Sequence, residues 1–583
     1  MIVLHMINID ISASTKGNSR TFKPKDRGSY RKSEVKKNPK GIAPKIILLA
    51  FLFSTIFLFL ENKHLFIHSV ENLFRFGKSA VIYDTYSISF NDDVPEEFVN
   101  SMKSNLSKLV FEGKPRFEFD KKNADIVVGM QQGDGSKEVF SKDFIPVGHF
   151  YSLLTNISLD QLKSKKVFML DSETEKFLEK KLGIEITVVG EGKDALVEKL
   201  KESDENIALF SFEDLDPRVK IIPLDNKYYL DDKEGSVKFS FYSSVEPKDE
   251  FILSVIARNM GNASFDEDFL SKVNMGGVVA IARNLAFKME EVKDYAYPAK
   301  EIGDFLADAD LTHVSNEVSF VPGCMPTRSM AFCSNPNYIE SLKKSGVDIV
   351  ELTGNHNNDY GAKYSASTIE TFKELGWDYF GGGLNEEDAK KILYKEVNGT
   401  KLAFIGYNYY DSIHNNIGPL ARDGISGANS YSESKLKEDI AEAKKNADVV
   451  ITTFQFQECY AYPDGDVIYP ICYQPLSVPD QRGTFKKAID LGADIVVGTQ
   501  AHQPQTYELY GDGVIFYGLG NLFFDQYIWI GTRQGLVLTH YFYDGKYIQT
   551  KVVPIYMDKD FVVRLATEEQ GALLLKLLKQ ARD

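Results

Sequence analysis

Val347-Asp-Ile-Val-Glu-Leu-Thr353 runs directly into Gly354-Asn-His-Asn-Asn-Asp-Tyr-Gly361. A mostly apolar run of strand length is followed at once by residues that bind ions or carry protons. The same step recurs four times in the C-terminal half. Asp310-Leu-Thr-His-Val-Ser315 leads to Asn316-Glu317, and Asp448-Val-Val-Ile-Thr-Thr-Phe454 leads to Gln455-Phe-Gln-Glu458. Ala493-Asp-Ile-Val-Val-Gly498 leads to Thr499-Gln-Ala-His502, and Val514-Ile-Phe-Tyr517 leads to Gly518-Leu-Gly-Asn521. Open α/β sheets bind ligands beyond the carboxyl ends of their strands. One such step is usually a turn or a capped helix, whereas five in one region point to a single crevice. The spacing therefore predicts an α/β domain over 272–583 with one polar site built from Asn316, Glu317, Asn355, His356, Asp359, Glu458 and His502.

Those side chains are hard oxygen and imidazole donors, suited to a divalent ion such as Mn, Fe, Zn or Mg rather than to a soft thiolate site. Gly354 allows a sharp turn before Asn355. His356 is then a ligand or a general acid, and Asp359 either orients it or caps a helix expected from Tyr360 to Leu375.

Upstream, 78–268 alternates strand and helix patterns. Ala124–Gly129, Lys166–Leu170, Ile184–Val189, Asn206–Ser211 and Val219–Leu224 read as strands, with helices over 175–182 and 193–202. The alternation predicts a second α/β domain with a largely parallel sheet. The order of its segments resembles periplasmic solute-binding proteins, without a motif that names a ligand. The polar stretch Asn259-Met-Gly-Asn-Ala-Ser-Phe-Asp-Glu-Asp268 marks the boundary.

The net charge of −15 disfavours nucleic acid as a partner. Charge is unevenly spread, because residues 1–45 are basic, with Lys16, Arg20, Lys36, Lys37 and Lys40. An uncharged run, Ile46 to Leu60, follows. It is short for a spanning helix, but Ile42 and Ala43 extend it and Lys45 can snorkel. The expectation is an uncleaved signal-anchor over 46–68, its basic flank cytoplasmic and the bulk of the chain extracytoplasmic on a single-pass membrane protein. A cleaved secretory signal is the alternative, though no small-residue cleavage site follows Leu60. The four cysteines, Cys324, Cys333, Cys459 and Cys472, suit an exported chain. They allow three connectivities, among which the sequence does not choose; local pairs 324–333 and 459–472 are the working expectation, with four free thiols the alternative.

Gly354-Asn-His-Asn-Asn-Asp-Tyr-Gly361, Gly498-Thr-Gln-Ala-His502 and Tyr517-Gly-Leu-Gly-Asn-Leu-Phe-Phe-Asp-Gln526 resemble the motifs of the capsule-synthesis CapA family. That family is associated with poly-γ-glutamate capsules and is similar to calcineurin-like metallophosphoesterases. The resemblance implies a metallophosphoesterase-like α/β sandwich with two central sheets, an anionic cell-surface polymer and other capsule-synthesis membrane proteins as partners, and Glu317, His356, Glu458 and His502 as catalytic residues. Three departures stand out. Gly276-Gly277 occupies the place of the family's Gly-Asp, Gln455-Phe456-Gln457 that of its His-Trp-Gly, and Gln500 that of one of its paired histidines. Two adjacent cations need several anionic or imidazole ligands. The expectation is therefore one divalent metal or none rather than two. The functions in view are hydrolysis or transfer at amide bonds of a surface polymer, non-catalytic polymer or ion binding, and, third, phosphoester hydrolysis.

Overall fold

The two central sheets that the resemblance implied in the C-terminal half do form, and they face each other. A computed structural model describes residues 85–111, 114–170, 172, 174–245, 249–259, 265–456 and 480–582. In one sheet the strands run in the order Asp378–Phe380, Ile349–Glu351, Leu311–Asn316, Leu270–Val279, Gln534–Tyr543, Lys546–Met557 and Val563–Leu565. The first four are parallel and Gln534–Tyr543 turns antiparallel against Leu270–Val279. In the other the order is Leu393–Val397, Thr400–Asn408, Val449–Gln455, Ile495–Thr499, Gly513–Phe516 and Tyr507–Tyr510. Its four middle strands are parallel.

The sheets pack through alternating apolar side chains. Val273, Met275, Ile349 and Phe380 of the first meet Leu402, Phe404, Ile451, Val497 and Phe516 of the second. Helices cover the outer faces, with Leu285, Met289, Leu342 and Phe372 on one side and Leu436, Ile440 and Phe485 on the other. The result is the helix–sheet–sheet–helix sandwich that the resemblance implied.

Upstream, strands Phe117–Phe119, Tyr86–Phe90 and Ile126–Gly129 are parallel, as are Asn206–Ser211, Lys166–Met169 and Ile186–Val188. Between these groups lie Val237–Ser244 and the long Lys137–His149, each antiparallel to its neighbours. The sheet is thus mixed rather than largely parallel. The long strand escapes a sequence reading because Ser141, Lys142, Asp143 and Pro146 interrupt its apolar alternation. This region packs on the sandwich: Tyr541 and Ile548 share a core with Leu196 and Phe210, and Asp231 accepts bonds from Tyr541 Oη (2.7 Å) and Lys551 Nζ (2.8 Å).

Among the described residues no helix is long and apolar enough to cross a membrane; the expected anchor at 46–68 lies outside them. The expected Cys324–Cys333 disulfide is present, and Cys459 and Cys472 lie outside the described residues.

The inter-sheet core also holds polar groups. His540 is fully buried with Nδ1 2.7 Å from Thr550 Oγ1. Burial, helped by nearby His313, pushes its pKa down to about 3. A depressed base contributes stability that is complete above the unfolded histidine pKa of about 6.5 and declines as pH falls toward the folded value. Between pH 7 and 5, urea unfolding of the wild type should lose about 2 kcal/mol more than that of His540→Asn. Equal losses would contradict this.

Candidate active site

Asn316 ends the Leu311–Asn316 strand and is fully buried. Its Nδ2 donates to Val318 O (2.7 Å), but its Oδ1 has no partner among the described residues. Glu317 is 2% exposed, and its backbone N–H donates to Val279 O (2.9 Å). Neither of its carboxylate oxygens has a hydrogen-bond partner among the described residues. The Asn355 loop presses directly on this glutamate. A Cβ at Gly354 would sit 2.6 Å from Glu317 Cα, so only glycine fits. Asn357 stitches the loops together, with Nδ2 3.4 Å from Asn316 O and 3.2 Å from Gly354 O. Asn355 Oδ1 is likewise buried without a partner among the described residues.

Asp359 orients His356. Its Oδ2 lies 2.6 Å from His356 Nδ1 and also accepts the Phe332 N–H at 2.7 Å. The helix that follows is Ala362–Glu374, starting two residues later than expected and with Gly361 at its N-cap, so Asp359 is not the cap. The Phe332 ring lies against the His356 imidazole, 4.1 Å between centroids, and Cys333 beside it closes the disulfide loop.

His502 is held from the other side. Its Nδ1 is 2.9 Å from Asn521 Oδ1, while Asn521 Nδ2 donates to the carbonyls of His502 and Thr532, both at 3.0 Å. Phe524 lies 5.0 Å from the His502 ring and 5.9 Å from Phe332. The two phenylalanines thus join the two histidines. Arg283 caps this wedge, 4.7 Å from the Phe332 ring and 4.9 Å from Phe524. Its Nε donates to Asp525 Oδ1 at 2.8 Å. The structure therefore brings together Asn316, Glu317, Asn355, His356, Asp359 and His502; Glu458 lies outside the described residues.

The departures have physical counterparts. A Cβ at Gly277 would lie 2.1 Å from Gly520 O, so no carboxylate fits there. Gln455 Nε2 donates to Gln500 Oε1 (2.7 Å), so the two amides bond each other. Among the described residues no group of three or more His, Cys, Asp or Glu is placed to hold a metal ion. The donors at hand are instead the partnerless oxygens of Glu317, Asn316 and Asn355, which by type suit a hard cation.

Sequence reasoning missed Asp411. It is buried, with its carboxylate held by Asn408 Nδ2 (2.8 Å) and Asn416 Nδ2 (2.7 Å). Burial raises its pKa, opposed by the two amides and by the nearby imidazoles of His356 and His414. Its signal was a sixth polar strand end, Thr400–Asn408 running into Tyr409-Tyr410-Asp411.

Residues 272–526 match the model of the family described as bacterial capsule synthesis protein PGA_cap. The match covers under half of the chain and supports a member of that family. The capsule biosynthesis protein CapA of Bacillus anthracis is 32% identical over 256 residues, 41% of this chain and 58% of that protein. The PGA biosynthesis protein CapA of Bacillus subtilis (strain 168) is 29% identical over 223 residues, 38% of this chain and 54% of that protein. The chain thus spans a little over half the length of these curated relatives. An ABC-type phosphate transport receptor from Vibrio cholerae, 9% identical, covers 31% of this chain and 94% of its own at a TM-score of 0.22, too low to carry a conclusion.

The crowding at Gly277 makes a sharp prediction. Gly277→Asp, which returns an acid to the PGA_cap motif, should fail to fold, and Gly277→Ala should cost upwards of about 3 kcal/mol, the upper range for overpacking. A stable Gly277→Asp chain that gains metal affinity in calorimetry would refute this geometry.

Proposed function

We propose that this chain is a membrane-anchored capsule-synthesis protein whose site holds one divalent cation and acts on amide bonds of an anionic surface polymer. The observation that carries this reading is the buried Glu317 carboxylate, both of whose oxygens lack a partner among the described residues beside the His356–Asp359 pair. A buried unpaired carboxylate costs several kcal/mol, a cost that a bound cation offsets. In this reading Glu317, Asn316 and Asn355 hold the cation, which when bound polarises a substrate carbonyl. His356, oriented by Asp359, carries a proton to or from the reacting group. His502, held by Asn521, presents its imidazole from the opposite wall. Glu458 stands as a further base candidate from its sequence position. The basic tail and the 46–60 run provide the anchor, placing the site outside the cell among other capsule-synthesis membrane proteins.

The Gln455–Gln500 amide pair favours a second reading, a non-catalytic protein that binds a polymer or an ion. Phosphoester hydrolysis has less support, since Arg283, a phosphate-clamp candidate, is engaged by Asp525.

Mn²⁺ titration of the full chain should return one equivalent and raise Tm, with about 2.7 kcal/mol of stabilisation at a hundredfold excess over Kd. Glu317→Gln should abolish that rise while leaving the metal-free chain no less stable. Two equivalents, or an unchanged response in Glu317→Gln, would exclude the cation site. In cells, His356→Ala should lower polymer turnover about 100-fold and Asp359→Asn about tenfold. Unchanged turnover in both would leave the binding reading.

A further inference from the structure

One buried carboxylate reaches both histidine loops at once. Glu351 sits in the strand Ile349–Glu351, between the two sheets, and is 0% exposed. Its Oε1 accepts from Thr353 Oγ1 at 2.5 Å and lies 3.4 Å from Thr499 Oγ1, whose single proton it shares with Phe454 O at 3.3 Å. Its Oε2 lies 3.4 Å from Nε2 of the fully buried His313. Thr353 follows a strand of the first sheet by two residues and stands three residues before His356. Thr499 ends a strand of the second sheet and stands three residues before His502. The same oxygen therefore reaches the hydroxyls of the residues that launch both loops.

Two further facts give this clamp a purpose. Gln500, directly after Thr499, holds φ +82, a left-handed conformation unusual for a residue other than glycine or asparagine. Such strain persists only where the surroundings over-determine it, and here the Thr499 bond precedes it and the Gln455 amide holds its side chain. Also, along the strand Val350 and Leu352 are apolar and buried, and across it Glu351 pairs with buried Phe380 on one side and buried Ser315 on the other. An apolar residue of similar volume would pack there without the desolvation cost of a charge, so packing alone does not account for the glutamate.

We propose that Glu351 is a positioning residue that sets the His356 loop and the His502 loop relative to each other across the two sheets. The inference rests on the site read above, and concerns how that site is held rather than what it transforms.

The test uses the full-length, metal-free chain with ¹³C-labelled imidazoles; the nine histidines keep the spectrum tractable, and His356→Gln and His502→Gln assign the two signals. Thr353→Val and Thr499→Val each remove one hydroxyl at constant shape. Each should displace both the His356 and the His502 signals, and Thr353→Ser or Thr499→Ser should restore them. Glu351→Leu, which removes the clamp without a new polar group, should displace both as well, and serves if a valine variant fails to fold. Mn²⁺ affinity should fall about tenfold in each variant, as for loss of an outer partner of a metal ligand. Displacement only of the histidine in the substituted residue's own loop, or of neither, would overturn the clamp. Absence of Mn²⁺ binding in the wild type would instead overturn the cation reading and leave the imidazole result to decide the clamp.

Discussion

The site depends on one close backbone approach. At Gly277 the carbonyl of Gly520 occupies the space of an absent side chain, and Val278 N–H donates to that carbonyl at 3.0 Å. This is where the chain leaves the second sheet after Gly513–Phe516 and joins the first as Asn521–Phe523 beside Leu270–Val279. Without that crossing, Asn521 would not reach His502 from the first sheet, and Phe524 would not meet Phe332. The departure from the family pattern at Gly277 and the joining of the two half-sites are thus the same piece of geometry. A carboxylate at this position and a backbone crossing through it exclude each other sterically.

That exclusion shapes the electrostatics of the site. The positive groups around the two histidines are limited: Arg283 is engaged by Asp525 and screened by two aromatic faces. On the negative side stand Glu317, with both oxygens partnerless among the described residues, and Asp359, committed to His356 and the Phe332 amide. The amide pair Gln455–Gln500 completes a wall where the family places stronger ligands, and it contributes hydrogen bonding rather than charge.

Much of this was legible in the chain itself. Each strand followed by a polar cluster identified a sheet edge, because strand length and ligand chemistry are both local properties. Asn316, Glu317, Asn355, His356 and Asp359 fall at strand ends of the first sheet, and His502 follows a strand end of the second. What was not legible depends on distance along the chain or on double meaning. Asn408 accepts the Asp411 N–H as an ordinary helix cap, and nothing local signals that its Nδ2 also holds the Asp411 carboxylate. Arg283 and Asp525 are 242 residues apart, and nothing local couples them. Glu351 lies inside an otherwise apolar strand, where its carboxylate reads as a strand residue until the second sheet brings Thr499 to it. The Lys137–His149 strand was hidden because both its faces carry polar residues before its apolar end.

The shared packing between the upstream sheet and the sandwich bears on how separable the two halves are. Phe150 stacks edge-on to Tyr507 at 5.5 Å, Leu509 N–H donates to Tyr151 Oη at 2.7 Å, and Tyr541 and Ile548 complete a core that belongs mostly to the other half. A fragment cut near residue 270 would open with these aromatic and aliphatic groups facing water and with Lys551 deprived of Asp231. The polar linker that reads as a boundary is thus a seam in the sequence and not a cleavage plane in the fold. The sandwich holds the candidate site but borrows part of its interior from the residues before it.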